Sequence, residues 1–335
     1  MAETSFSVLS PRQDLEEWDR FVSRSPQGTL FCKSWWLKAA FLTSFEVLVA
    51  RRAGAIIAGI PLPYVGSGKR RRVVRPPMTT TMGVLLDSDQ PSSTRYEKQL
   101  SAEMSLLVGL VAAIPDNSGF RASFHPTFQN WLPFYWHRYQ QVTSYTYVLD
   151  NIGDIDAVVA GMNHSKRKNL KRARKLVTVE REMDTVSFFR HHKGTLGKEG
   201  RVISYRLDDL KRVLRAVRLH ANAEILSAVD SDGVIHSAII VIYDEASAYY
   251  IASSIDPDFR NSGSVTLLLV EAIRVVSGTT NRFDFEGSMS PGVERSFRKF
   301  GARQTPYFEI FKNEGWRPRL SIALERVARK IGIKE

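Results

Sequence analysis

The chain has one cysteine, Cys32, in 335 residues, so no intramolecular disulfide can form and a cysteine-based zinc site is excluded. Its seven histidines, among them the pair His191-His192, show no His-Glu-x-x-His spacing, and no metal site is expected. No stretch approaches the ~18–20 consecutive apolar residues of a membrane span. The run 106–114 is broken by Gly109 and stops at Pro115. Neither Gly-x-x-x-x-Gly-Lys-Ser/Thr nor Gly-x-Ser-x-Gly occurs, so ATP hydrolysis and serine-hydrolase chemistry lack their usual markers. Residues 1–6 offer neither a basic segment nor a long apolar one, so a secretory signal is not expected. These absences give the expectation of a cytoplasmic protein, with peripheral attachment to the inner membrane face as an option left open by its charge.

What is present is ample apolar material and an excess of cations. A chain of this length suits two domains of about 150 residues each. At 43% hydrophobic and 24% charged residues it can bury real cores. Lys and Arg outnumber Asp and Glu by 47 to 35, a net +12. The surplus is +4 over 1–150 (16 basic, 12 acidic) and +8 over 151–335 (31 basic, 23 acidic). Such a field favours anionic partners: cofactor phosphates, nucleic acid or an anionic membrane surface.

The two halves follow one order of elements. In the first, a helical run over 30–42 leads to strands over 45–51 and 56–64, joined by a turn at Ala53-Gly54. A strand region over 73–86, a helix over 93–114, a strand over 120–124, a helical turn over 131–139 and a strand over 144–149 follow. In the second, a helix over 207–222 leads to strands over 224–229 and 235–243, joined by the hairpin signal Ser231-Asp232-Gly233. A strand over 247–253, a helix over 264–277, a strand over 282–286, a helical turn over 292–300 and a strand over 307–312 complete it. The expected fold is α/β with mixed α+β sheets, in two units each flanked by helices. The expected divisions are 1–150, a basic linker helix over 151–182, a second unit over 183–315, and a basic amphipathic tail over 316–335. The linker carries seven Lys/Arg and no acid between His164 and Lys175. The tail sets Leu320, Leu324, Val327 and Ile331 on one side of a helix.

Three places can carry chemistry. The loop Asp258-Phe259-Arg260-Asn261-Ser262-Gly263-Ser264 opens a helix, whose unpaired N–H groups and dipole suit a pyrophosphate, with Arg260 to balance charge; a plain cap is the equal alternative. In Arg282-Phe283-Asp284-Phe285-Glu286-Gly287, strand alternation sets Arg282, Asp284 and Glu286 on one face. Carboxylates there are costly to bury unless paired or used, so one is a candidate general base and an Arg–carboxylate structural pair is the equal alternative. The linker's Lys168, Arg172 and Lys175 form a candidate anion surface for a phosphorylated substrate, RNA or lipid headgroups, with a solvated helix face as the alternative. Cys32, in an aromatic run, reads as a small buried residue, and the cluster Trp131, Phe134, Tyr135 and Trp136 reads as core.

Residues 284–301, with Asp284-Phe285-Glu286-Gly287 and then Phe297-Arg298-Lys299-Phe300-Gly301, resemble the D-F-x-G … F-K-x-x-F-G signature of the Fem-like branch of the GNAT acyltransferase superfamily. Ser25-Pro26-Gln27-Gly28-Thr29-Leu30-Phe31 with Trp35-Trp36 is similar to that branch's N-terminal signature, and the helix over 164–175 is similar to its basic helix. The resemblance spans roughly 20–312. It implies two tandem GNAT-like units and transfer of an acyl or aminoacyl group to an amine. Arg260, Gly263 and Ser264 then match the loop that holds the pyrophosphate of coenzyme A, with Val265 at its final, usually small, position. On this reading acyl-CoA or an acyl carrier is the donor, with no permanently bound cofactor. Glu286 or Asp284 deprotonates the acceptor amine, for which the expected class is a membrane-held or phosphorylated cell-envelope or lipid precursor. Backbone groups at Ser253 and Ser254 hold the acyl carbonyl, Tyr249, Tyr250 and Tyr307 are walls of the site or a general acid for the leaving thiolate, and Arg298 and Lys299 balance substrate charge. An aminoacyl-tRNA-dependent transferase and a non-catalytic membrane-surface module are the other two readings.

Overall fold

The computed structural model describes residues 3–42, 44–88, 95–181, 183–287 and 289–312; the expected tail over 316–335 lies outside them. The first half runs β1 (Thr4–Leu9), α1 (Glu16–Arg24), α2 (Ser34–Phe41), β2 (Phe45–Arg52), β3 (Ala55–Val65), β4 (Arg72–Val73), β5 (Leu85–Leu86), α3 (Tyr96–Ala112), β6 (Phe120–Ser123), α4 (Leu132–Trp136) and β7 (Gln140–Asp150). Then come α5 (Ile155–Gly161) and the basic α6 (His164–Leu176). The second half follows as β8 (Thr178–Glu180), α7 (Thr185–Lys198), α8 (Leu207–His220), β9 (Asn222–Val229), β10 (Ile235–Tyr243), β11 (Ala248–Ile255), α9 (Ser264–Val276), β12 (Arg282–Asp284), α10 (Pro291–Arg298) and β13 (Arg303–Lys312).

Local sequence accounts for most of these. Asn163, Asp154 and Asp184 each accept backbone N–H groups at the starts of α6, α5 and α7, replacing partners a helix end lacks. At the β9–β10 turn Asp230 accepts from the N–H groups of Asp232 and Val234, and Gly233 takes the left-handed φ of 79°. The strand region expected over 73–86 is only the two-residue β4 and β5 at its ends. Pro76 and Pro77 supply no N–H to a ladder and bias their predecessors, so the chain between crosses the molecule irregularly. There it buries Thr79, Thr80 and Thr81.

All strands form one mixed sheet in the order β1-β2-β3-β4-β6-β13-β7-β12-β11-β10-β9-β8, with β5 on β3. Among the described residues, only β4–β6 and β11–β12 are parallel. The order shows an exchange that the half-by-half reading did not contain. The second half's last strand, β13, lies between β6 and β7 of the first half, and β7 lies against β12 of the second.

Three cores cover the faces. One is shared between halves: Trp18, Phe21, Phe31 and Trp36 pack with Leu210, Leu214, Ile240 and Tyr249. The Phe31 ring is 4.8 Å from Tyr249, edge-on. A second core packs α5, α6 and α9 on the opposite face of β9–β12, which is why β10 and α9 are apolar nearly throughout rather than alternating. The third packs α3 and α4 on the first half's sheet.

Since each half completes its sheet with a strand from the other, the expectation is that neither folds alone. Fragments 1–153 and 154–335, co-expressed, should co-purify and melt in one transition; two separate melts would contradict the exchange.

Candidate active site

The candidate carboxylates sit at the seam where the halves meet. β12 ends at Asp284, two residues earlier than alternation suggested, and Glu286 leaves it with a left-handed φ of 56°. That conformation costs a non-glycine residue roughly 1 kcal/mol or more and marks a position held by its surroundings. What holds it is visible on both sides. Gly287 lies so close to the Tyr145 carbonyl of β7 that a methyl group there would overlap it. The Thr80 hydroxyl, from the irregular first-half segment, donates to Glu286 Oε1 at 2.7 Å.

Beneath Glu286, Asp284 is 4% exposed. Its Oδ1 accepts from the Thr146 hydroxyl of β7 and from the Glu286 N–H at 2.9 Å, and Arg282 stands 3.6 Å from Oδ2. Burial raises its pKa, with Thr146 and Arg282 opposing. Glu286 keeps some solvent contact as a residue, but its carboxyl group is hemmed in by protein. Burial pushes its pKa up to about 7; the Thr80 hydrogen bond and the Arg75 charge pull down, and Asp284 pushes further up. A carboxylate at about 7 is half ionised at neutral pH, where a general base works best. Tyr307, on β13 opposite Ser144, is 7% exposed, and burial raises its pKa, so its hydroxyl keeps its proton. The charges of Arg75 and Glu286 both act on it. Tyr250, pushed up to about 12 by burial, feels Glu286 and bonds Ser253.

The sheet opens beside this cluster. β11 pairs with β12 only through Ala248–Phe283 and Tyr249–Asp284, then runs on to Ile255 along β10. A bulge between Ile240 and Val241 breaks its register with β10 next to Ile251. Among the described residues, no strand pairs with 250–255 on the β12 side.

The structure thus brings Asp284, Glu286, Tyr307 and Ser253 together. Ser254 points elsewhere: its hydroxyl meets His191 Nδ1 at 2.6 Å and Thr195 at 3.1 Å beneath α7. The loop residues are engaged by protein. Arg260 pairs with Glu199, and the Ser264 hydroxyl accepts from Ser237 at 2.8 Å in a buried position. Gly263 takes a φ of 83°, and the face where a side chain would stand is filled by the Asn169 carbonyl of α6. Arg172 of α6 donates to the Asn261 carbonyl. The basic helix and the glycine loop, read separately in the sequence, are therefore one packed unit, and Gly263 is needed for that packing. Lys168 and Lys175 are exposed on α6. Arg298 pairs with Glu294 at 2.8 Å, while the Lys299 carbonyl accepts from the Asn163 N–H at 2.9 Å.

Four residues here were not singled out from sequence: Arg75, Thr80, Thr146 and Lys166. Lys166 is 8% exposed, donates to Ser296 at 2.9 Å and lies 4.4 Å over the Phe300 ring. Burial first and the Lys299 charge second bring its pKa down to about 8. Only the Thr79-Thr80-Thr81 run after two prolines could have drawn the eye, and it names no partner 206 residues away. Among the described residues no group of three His, Cys, Asp or Glu could hold a metal ion. An open groove of about 670 Å³ rimmed by Arg181, Lys211, Arg215 and Arg218 lies apart from the seam cluster.

No protein-family model matches the chain, and no curated protein matches it. Solved structures do. The fold is similar to that of FemX, with 12% identity over 93% of this chain and 98% of that one and a TM-score of 0.66. It is also similar to a tandem GNAT protein from the clavulanic acid biosynthesis pathway (11% identity, 92% and 98%, TM-score 0.52) and to L-PGS from Bacillus licheniformis (12%, 95% and 97%, TM-score 0.51). At these identities the likeness establishes the fold: the chain has a tandem GNAT, Fem-like fold, as its signature residues suggested.

The raised Glu286 pKa has a consequence for stability. The folded state holds this proton while the unfolded chain loses it near 4.5, so stability falls as pH rises from about 4.5 through 7. Glu286→Gln should therefore raise Tm at pH 8, by about 1–2 °C per kcal/mol relieved for a chain of this length melting as one unit, and change it little at pH 4. An equal effect at both pH values would contradict the raised pKa.

Proposed function

We propose that this protein is an N-acyltransferase that moves an acyl group from an activated thioester, acyl-CoA or an acyl carrier, to an amine. The observation that carries the reading is the Glu286 carboxyl group, poised near neutral pH and tethered by Thr80 at the point where β11 and β12 part. Glu286 takes a proton from the acceptor ammonium. The amine nitrogen then forms a bond to the thioester carbonyl carbon, and backbone groups facing the parted strands hold the developing oxyanion. The C–S bond breaks as the tetrahedral intermediate collapses; the leaving thiolate takes the Tyr307 proton, and the second proton of the attacking nitrogen passes through water to the Tyr307 phenolate, leaving a neutral amide. A thioester is already activated, so holding both reactants in place supplies much of the acceleration, up to about 7–11 kcal/mol in favourable cases. Asp284, buried under Thr146 and bonded to the Glu286 N–H, positions the base.

A specific observation favours a second reading, aminoacyl transfer from charged tRNA. The Asn169 carbonyl of α6 fills the side-chain face of Gly263 and Arg172 of the same helix holds the Asn261 carbonyl, so this loop is packed against α6 and Arg260 is spent on Glu199. The exposed Lys168 and Lys175 of the same helix, in contrast, are available to a larger phosphate backbone.

Binding to a panel of acyl-CoAs, and to charged and uncharged tRNA, at two salt concentrations separates the two. Saturable acyl-CoA binding weakened by Arg260→Ala supports the thioester donor; charged-tRNA binding alone, falling steeply with salt, supports the second reading. Binding of neither, and of no acyl-loaded carrier protein offered in the same assay, overturns both.

With the donor so identified, Glu286→Gln should cut kcat by about 10²-fold or more. The wild-type rate should rise with pH through about 7 as Glu286 ionises. Thr80→Val removes a bond that favours the carboxylate, so the rise should shift to higher pH. A Glu286→Gln enzyme with normal turnover would remove this residue from the mechanism.

A further inference from the structure

A groove of about 670 Å³ opens between the start of α7, the exposed side of α8 and the first residues of β9. Its size lies within the range of about 300–1,000 Å³ typical of small-molecule sites. Met183, Val186 and Ile225 give it an apolar lining. Among the described residues four cations line it, Arg181, Lys211, Arg215 and Arg218, against two carboxylates, Asp184 and Glu224. Both carboxylates are engaged. Asp184 caps α7, accepting from the N–H groups of Val186 and Ser187 and from the Ser187 hydroxyl. Glu224 accepts from Arg181 at 3.3 Å.

The cations of α8 have no such partner. Leu210, Val213, Leu214 and Val217 turn one side of this helix into the shared core. Lys211, Arg215 and Arg218 are left at i, i+4 and i+7 on its exposed side. The acids of the helix itself are taken, Asp209 by Arg212 at 2.8 Å and Asp208 by Arg206 at 3.9 Å. Among the described residues none of the three cations has a hydrogen-bond or ion-pair partner. Like charges at this spacing repel one another, so an anion placed among them is favoured. At 1.5 Å of rise per residue they stand about 6 and 4.5 Å apart along the helix axis, which suits a row of phosphates better than a single carboxylate.

We propose that this groove binds a nucleotide-sized organic polyphosphate. Arg215 and Arg218 take phosphate oxygens in pairs through their planar forks, Lys211 adds a point charge, and the apolar lining receives the body of the molecule. The cations are confined to two turns of one helix beside a concave space, which fits a small ligand rather than an extended nucleic-acid backbone. The site is independent of the acyl-transfer reading. Its helix packs in the shared core, α6 packs on the opposite face of the sheet, and none of its residues belongs to the seam cluster or to the loop over 258–264.

The test is calorimetric titration of the full-length protein at low salt with ATP, pyrophosphate and adenosine. The wild type should bind ATP saturably and more tightly than pyrophosphate, with adenosine weakest. Arg215→Ala with Arg218→Ala should weaken ATP binding about tenfold or more, and both side chains are exposed, so the free variant should melt as the wild type does. Arg218→Lys, which keeps the charge and loses the fork, should fall between. Arg260→Ala, and Lys168→Ala with Lys175→Ala, should bind ATP as the wild type does; an equal loss in either would place the anion elsewhere and overturn the proposal. Absence of saturable ATP binding by the wild type would overturn it, as would pyrophosphate binding as tight as that of ATP. An RNA oligonucleotide that needs Arg215 and Arg218, binding where ATP does not and weakening steeply with salt, would assign the groove to nucleic acid and also overturn it.

Discussion

The antiparallel pairing of β7 with β13 is the constraint from which the site follows. It runs through nine register pairs, from Val148–Arg303 to Gln140–Phe311, and joins strands whose chain positions differ by more than 150 residues. Because β7 then lies against β12, its side chains and carbonyls become the floor of the second half's chemistry. Thr146 reaches Asp284, the Tyr145 carbonyl crowds Gly287, and Ser144 faces Tyr307. A second half with its own seven strands would have to find these contacts elsewhere. The exchange makes the first half, otherwise a scaffold, part of the candidate catalytic environment.

Electrostatics at the seam follow from the same geometry. Two carboxyl groups, Asp284 and Glu286, stand next to each other with limited water, and like charges at close range resist joint ionisation. Asp284 has the better local compensation: Thr146, a backbone N–H and Arg282 all contact it. Glu286 has one hydroxyl and the more distant Arg75 charge. The two environments differ: burial raises both pKa values, and Asp284 has the more numerous opposing contacts. The bond from Thr80, to a charged acceptor, is worth about 1.5–3 kcal/mol, enough to set both the orientation of this side chain and part of its acidity.

Periodicity made most elements legible. The strand expected over 235–243 matches β10, and the helix over 264–277 overruns α9 by one residue. The aromatic and Asp-Phe-x-Gly residues pointed to the right fold. β1, α1, α5, β8 and α7 were not read, being short or weakly patterned, and sheet partners could not be read at all. Local pattern says which face of a strand is apolar, but not which distant strand it meets. For the same reason Glu286 was nameable, since its residue type and motif are local, whereas Thr80 was not, because its role exists only through a contact across the seam. Gly263 shows the converse. Its sequence context suggested a phosphate, and a glycine is indeed required there, but the group that needs the space is Asn169 of α6.

That packing ties the basic helix to both ends of the second half. Near its start, buried Lys166 meets Ser296 and the Phe300 ring by α10; in its middle, Asn169 and Arg172 cover the loop before α9. Lys166 has no carboxylate partner in these contacts, so its charge is held by a hydroxyl and an aromatic face, a weaker compensation than an ion pair. An anion that drew Arg172 from the Asn261 carbonyl would have to replace that bond. If it also took the side-chain face of Gly263 it would have to lift the helix, exposing Leu170 and Ala173, which the second core now buries. An anion bound by Lys168 and Lys175 on the outer face meets neither cost. The packing of α6 therefore leaves its outer face, with Lys168 and Lys175, as the surface an anion reaches without moving the helix.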